Sequence, residues 1–343
     1  MDNSFFDSAD RLFAQECTPA IIRQIEQGAD TTALWAMLES SGFGDALLPE
    51  SAAGAGLTLS DVWPILFCMG RHAVPLPLAQ TMLARAWLNQ AQQVCPEGPV
   101  TFAPFQVSHT SQGLRAHAVS FGKVASWVLA QLGSRVWLLP VAFAESEPSG
   151  AHGSLDADLF WANEIAADCL LGEWDAPQFQ DLQALSLAVL IAGAADRAFE
   201  MTLEYACQRV QFGNPIGKFQ ALQQQVSEVA EQVFGARMAS QMSCRSDTWQ
   251  PQPALAALAK LQASQSVARI AAVAHAVHGA IGVTYEYDLQ LYTRRLHEWV
   301  RAGAGPAYWA QILGRHVLKS ELNTVDFIRT VLFSECSLAG LAN

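Results

Sequence analysis

Charge is scarce in this sequence, and positive charge is scarcest. Of 343 residues only 15% are charged, with 20 Lys and Arg against 32 Asp and Glu, for a net charge of −12. No run of lysine or arginine occurs, which argues against a nucleic-acid partner held through its phosphates. Paired cysteines are lacking too. Cys17, Cys68, Cys95, Cys169, Cys207, Cys244 and Cys336 are scattered without CxxC spacing. An odd, dispersed set speaks against a disulfide framework or a cysteine-held zinc, and the expectation is a reduced, cytoplasmic chain with no metal site. The start, Met1-Asp2-Asn3-Ser4, has no basic stretch, so no secretory signal is expected. No uncharged run is long enough to cross a bilayer. The nearest, Leu185 to Ala195, is about eleven residues and suits a buried helix.

Apolar residues are plentiful, at 51% of the chain. That is high for so little charge, and much of the surface is expected to lie against other chains. The length allows two or three domains.

Residues 1–98 read as helices. Apolar positions recur at helical spacing in Phe5, Phe6, Leu12 and Phe13, and again in Leu34, Trp35 and Leu38. Gly42 and Gly44 end one helix, Pro49 to Gly56 is a loop, and Ser60-Asp61 is the expected N-cap of the next helix. Pro75 and Pro77 precede another, from about Ala79 to Gln92. Residues 99–177 carry short apolar or alternating runs separated by Gly, Ser and Pro, as in a small β domain. The runs are Val100 to Phe102, Ala116 to Phe121, Ser126 to Leu129 and Val136 to Val141. Ser146 to Gly153 reads as a surface loop. Residues 178–343 return to helix: Leu182 to Cys207, Phe219 to Arg245, Ala254 to Val277, Arg294 to Leu318 and Thr324 to Phe333. In the first of these the small residues Ala188, Ala192, Gly193, Ala194 and Ala195 predict close packing on a neighbouring helix. The fold class is mainly α with a small β domain.

Between the first two helices of the last region lies Arg209-Val210-Gln211-Phe212-Gly213-Asn214-Pro215-Ile216-Gly217-Lys218-Phe219-Gln220. Glycine, asparagine and proline make it a loop. It presents an arginine fork and amides beside an aromatic ring, a set that suits a planar, phosphate-bearing ligand. A plain connection between helices is the alternative.

This stretch resembles the signature loop of the acyl-CoA dehydrogenase family. His278-Gly279-Ala280-Ile281-Gly282-Val283-Thr284-Tyr285-Glu286-Tyr287 is similar to that family's H-G-G-x-G-x-x-x-E-Y segment, and Leu47-Leu48-Pro49-Glu50 with Gly54-Ala55-Gly56 is a weaker match near the N-terminus. The resemblance implies a helical N-domain, a β-barrel middle domain, here reduced, and a C-terminal four-helix bundle. It implies FAD as cofactor and an acyl-CoA substrate whose α-proton goes to a carboxylate base while a hydride goes to the flavin. It also places Arg209, Gln211 and Phe212 against the FAD of a neighbouring subunit. Gln220 fits a motif position. Gly279 and Ala280 stand where paired glycines let the backbone approach the cofactor, and Ala280 departs from that pattern.

The base that the resemblance calls for is missing. At one of the family's two places for its glutamate this sequence has Gly303, and at the other Gln183. The carboxylates Asp181, Asp196 and Glu298 lie nearby in the sequence, but a helix cap or a solvated charge accounts for each. The middle-domain segments that cover the flavin ring are also absent, Ala103-Pro104-Phe105-Gln106 standing in their place. His275 and His278 share a helix face, yet no third ligand has partner spacing, so packing or capping is expected of them. Trp299 and Trp309 are expected in the core or an interface.

The expectation is therefore a subunit that keeps FAD contacts, lacks the base, and pairs with a homologous catalytic chain, as in α2β2 enzymes acting on bulky, steroid-side-chain-like acyl-CoAs. Electron-transferring flavoprotein is the acceptor implied. Three alternatives stand: a homo-oligomeric dehydrogenase with its base moved to Asp181 or Glu298, a flavin monooxygenase of the same fold, and a flavin-free structural subunit.

Overall fold

A computed structural model describes residues 4–174 and 178–332. Five helices come first: α1 (Ser4–Glu16), α2 (Pro19–Glu26), α3 (Thr32–Ser40), α4 (Leu59–Arg71) and α5 (Leu78–Gln90). Gly42, at φ +74, takes the left-handed position that closes α3. The cap of α4 is not Ser60-Asp61. Thr58 is the N-cap, and its hydroxyl and Asp61 form a reciprocal capping box. Thr58 has the extended backbone that a cap needs. Ser60 lies inside the helix, and its hydroxyl reaches the carbonyls of Cys244 and Ser246.

The middle region holds β1 (Val100–Ala103), β2 (Val107–His109), β3 (Gly113–Val119), β4 (Trp127–Leu132), β5 (Arg135–Pro140), β6 (Glu145–Pro148), β7 (Ala157–Ala162), α6 (Asn163–Asp168) and β8 (Leu170–Glu173). These strands do not close into a barrel. They form two four-stranded sheets, ordered β1-β4-β5-β8 and β2-β3-β7-β6. Val128, Trp137 and Leu139 of the first share one core with Leu114, Leu159 and Trp161 of the second, so the sheets face each other. The open edges are dealt with locally. On β1, the Val100 N–H donates to the Thr81 hydroxyl of α5 at 2.9 Å, so a helix holds an edge where a barrel would add a strand. β6, all exposed, carries two glutamates and a proline, which blunt the other sheet. Its strand also takes the first part of the stretch read as a Ser146 to Gly153 loop.

The rest is helical: α7 (Phe179–Gln208), the hairpin β9 (Val210–Gln211) and β10 (Asn214–Pro215), α8 (Gln220–Ser243), α9 (Pro253–His278), α10 (Leu289–Arg301), α11 (Pro306–Lys319) and α12 (Thr324–Phe327). The stretch read as one helix from Arg294 to Leu318 is two. Gly303 and Ala304 have φ of +66 and +71, which ends α10, and Pro306 opens α11. A π turn over Ile328–Leu332 follows α12, and Phe333 and Cys336 lie outside the described residues. Burial pushes the thiols of Cys17, Cys68 and Cys244 up to about 12.

The small-residue stripe of α7 meets α4 backbone to backbone. A β-carbon on Gly193 would stand 2.1 Å from the Phe67 carbonyl oxygen, and one on Gly70 would stand 2.3 Å from that of Leu190. By length and composition alone two helical stretches, Phe179–Gln208 and Pro253–Val283, are apolar enough to cross a membrane, although charged residues interrupt both. The apolar window of the first is 83% buried inside the protein, where a central bundle helix places such a face.

Candidate functional site

A cavity of about 960 Å³ opens between the β region and the bundle. On one side it is lined by Phe102 to Gln106 at the end of β1, His117 to Val119, and the loop carrying Ser154 and Asp156. On the other it is lined by Gln183 near the start of α7, by His297, Glu298 and Arg301 of α10, and by the turn Ala302 to Gly305. Such a volume takes a ligand of drug size or larger.

Gln183 and Gly303, the positions at which the resemblance implies a base, come together in this cavity. A β-carbon added to Gly303 would lie 3.3 Å from the amide carbon of Gln183 and 3.1 Å from a methyl of Leu187. Gln183 is 4% exposed, and its Oε1 has no hydrogen-bond partner among the described residues. Neither residue can take a proton from an acyl chain. The turn around Gly303 is tied down from behind. The Trp309 indole donates to the Gly303 carbonyl at 2.9 Å, and the buried Lys260 ammonium donates to the carbonyls of Trp299 at 2.6 Å and Val300 at 3.2 Å. These are end carbonyls of α10 that lack partners within the helix. Burial brings the Lys260 pKa down to about 7.

Two carboxylates line the cavity, and both are engaged. Glu298 is not a solvated charge: its side chain is 12% exposed. Its Oε1 accepts from the Ser154 hydroxyl at 2.6 Å and the Leu155 N–H at 3.3 Å, while Oε2 accepts from Arg295 at 2.8 Å. Burial pushes this carboxyl up, but Arg295 and the hydrogen bonds outweigh it and hold Glu298 below its ordinary value. Asp156 sits beside it. Burial, and after it the Glu298 charge, push the Asp156 carboxyl well above the usual range, which favours its protonated form. Nothing in the local sequence marks Asp156, because its neighbour Glu298 comes from a distant helix. Arg295 also pairs with Glu26 at 2.9 Å, and Arg294 with the same glutamate at 2.7 Å, so the network ties α2, α10 and the β-region loop together.

Asp181 and Asp196 are placed elsewhere. Burial raises Asp181 to about 6, but it does not line the cavity. Asp196 is ion-paired with Arg71, so it is neither a cap nor a free charge. The Nε2 of His275 lies 2.9 Å from the Thr293 hydroxyl, and the Nδ1 of His278 lies 2.7 Å from the Ala274 carbonyl. Both rings therefore have packing partners on their own bundle. Trp299 and Trp309 are buried.

The loop of 209–220 is a two-residue hairpin. Gln211 pairs with Asn214, and the turn residues Phe212 and Gly213 have φ of +51 and +78, the pattern of a type I′ turn. Phe212 is 89% exposed. Arg209, Gln211 and Gln220 are exposed as well, and no hydrogen bond within the described residues engages their side chains. Gly279 has φ +63 and ψ −142, a conformation reserved for glycine, with open space where a side chain would be. Ala280 beside it is exposed. A guanidinium, two amides and an open glycine corner are a donor set that fits the pyrophosphate and ring of FAD. All of them lie on the surface of the chain.

Residues 179–306 match the family model for the acyl-CoA dehydrogenase C-terminal domain. Acyl-CoA dehydrogenase IpdE2 of Mycobacterium tuberculosis is 31% identical over 301 residues, covering 83% of this chain and 87% of the relative. Acyl-CoA dehydrogenase FadE27 of the same organism is 27% identical over 328 residues, covering 82% and 88%. Among solved structures, the ChsE4-ChsE5 complex from Mycobacterium tuberculosis superposes with a TM-score of 0.78 at 22% identity, covering 93% of this chain and 98% of that one. Butyryl-CoA dehydrogenase from Megasphaera elsdenii superposes at 0.77 and 18%, covering 93% and 99%. These two likenesses show the fold. The loop, the glycine corner and this identity over most of its length say together that the chain belongs to the acyl-CoA dehydrogenase family.

Proposed function

We propose that this chain is the base-free subunit of an FAD-dependent acyl-CoA dehydrogenase that introduces an α,β double bond into a bulky acyl-CoA. It pairs with a homologous catalytic chain, in an α2β2 arrangement, and the electrons go on to an electron-transferring flavoprotein. The observation that carries this reading is the meeting of Gln183 and Gly303: both places for a base fall on one point of the cavity, and neither holds a carboxylate. FAD, when bound, supplies the hydride acceptor. Arg209, Gln211, Phe212 and Gln220 would hold the cofactor of the neighbouring subunit, with Gly279 and Ala280 at its phosphate or adenosine half. Two structural neighbours, the ChsE4-ChsE5 complex and a Tcur3481-Tcur3483 steroid acyl-CoA dehydrogenase, support a two-chain assembly and a steroid-like acyl group.

A second reading keeps a base in this chain. Glu298 lines the cavity, although Ser154, Leu155 and Arg295 occupy its oxygens. The test is turnover of a saturated acyl-CoA by the chain alone, followed by Glu298→Gln. Turnover at ordinary rates that the substitution abolishes favours the second reading. No turnover from the single chain, with activity on co-expression with a homologous subunit, favours the first.

A further inference from the structure

We infer that the cavity selects acyl groups that carry a hydroxyl, with Gln183 as the residue that accepts its hydrogen bond. This deepens the acyl-CoA reading and rests on it. Gln183 is buried to all but 4% of its surface, lines the cavity, and finds no donor for Oε1 among the described residues. A buried carbonyl oxygen left in that state costs about 1–3 kcal/mol. An O–H presented by a ligand removes the cost, and an apolar methylene in its place does not.

The surroundings supply no substitute. The wall that faces the amide is Gly303, which has no side chain, and its neighbours Ala302 and Ala304 carry methyl groups only. The β1 side of the cavity offers apolar surface in Phe102, Pro104 and Phe105, beside the polar Gln106, His117 and Ser154. His275 Nδ1 and Gln290 Nε2 on the cavity wall are also without partners among the described residues, but Gln183 Oε1 is the one that lies at the Gly303 turn, and its demand is a donor. The volume of about 960 Å³ admits a polycyclic acyl group. In place of a base, the same point then holds a neutral acceptor, which binds a hydroxyl without taking its proton.

Isothermal titration of the full chain with two coenzyme A thioesters, choloyl-CoA and the hydroxyl-free 5β-cholanoyl-CoA, tests the inference. The hydroxylated thioester is expected to bind about tenfold tighter. Gln183→Met, close in shape but without an acceptor, is expected to remove the preference, and Gln183→Glu, which keeps one, to retain it. A thermal melt of each variant shows that it is folded. Equal binding of both thioesters by the natural chain, or a preference that survives in Gln183→Met, overturns the role of Gln183 and leaves the acyl-CoA reading standing. Binding of neither thioester overturns the acyl-CoA reading of the cavity, and the inference goes with it.

Discussion

Gln183 of α7 and Gly303 at the end of α10 face each other so closely that a methyl group on the glycine would touch the glutamine's amide, at 3.3 Å. The two positions at which the resemblance implies a base, far apart in the chain, are neighbours in space.

Gly303 is held in a left-handed conformation, φ +66, with Leu187 3.1 Å from any added β-carbon. Gly303→Ala is expected to destabilise the chain by about 1–2 kcal/mol. Gly305, at φ −83 with open space around it, is the control. Gly305→Ala should stay within about 0.5 kcal/mol. Urea denaturation midpoints separate the two.

Phe212 occupies the first turn position of a type I′ hairpin with φ +51 and its ring in solvent. A bulky residue there carries a backbone cost of about 1 kcal/mol, and the ring's contact among the described residues is an edge-on one with Phe219 at 6.3 Å. Phe212→Asn, which tolerates that conformation, is expected to raise the melting temperature of the isolated chain. In the assembled enzyme it is expected to lower the flavin retained after gel filtration, read by absorbance.

The crossing of α4 and α7 leaves no room for a side chain at Gly193, where a β-carbon would stand 2.1 Å from the Phe67 carbonyl. Gly193→Val is expected to cost about 1–3 kcal/mol or more by overpacking, or to prevent folding. Soluble yield and a denaturant midpoint check it. This contact is legible in the sequence, because small residues recur along one face of α7 and such a face admits a close neighbour. The loop of 209–220 is legible for a different reason: turn chemistry and ligand donors share a short stretch.

Other features depend on chain segments that meet only on folding. Glu298 reads as a solvated helix charge until Ser154 and Arg295 close on it, and Asp156 carries no signal until it lies beside Glu298. Sheet closure is likewise non-local. The strands of the middle region are legible from alternation, but Thr81 of α5 rather than another strand holds the edge of β1. The break at Ala302 to Gly305 is signalled by Gly303, Gly305 and Pro306, and the apolar pattern running through it conceals it.

Lys260 is fully buried, and its pKa falls from 10.5 to about 7. The unfolded chain then holds the proton more firmly than the folded one, so this group weakens the fold below pH 7 and stability recovers as pH rises through 7 toward 10.5. Between pH 7 and 8 the Lys260 contribution should rise by roughly 1 kcal/mol per pH unit, while the thiols of Cys17, Cys68 and Cys244, raised on folding, work in the opposite direction as they ionise in the unfolded chain. Lys260→Met is expected to flatten that rise. Denaturation midpoints across the interval, compared between the two proteins, give the answer.

The central claim is that this chain grips a cofactor it cannot use alone. The measurement is FAD per chain and acyl-CoA oxidation, for the chain purified by itself and co-expressed with a homologous acyl-CoA dehydrogenase subunit. The account predicts an inactive single chain, and a complex that oxidises the thioester with flavin bound, losing flavin on Arg209→Ala. A single chain that carries its own FAD and oxidises an acyl-CoA at the rate of the complex would contradict it.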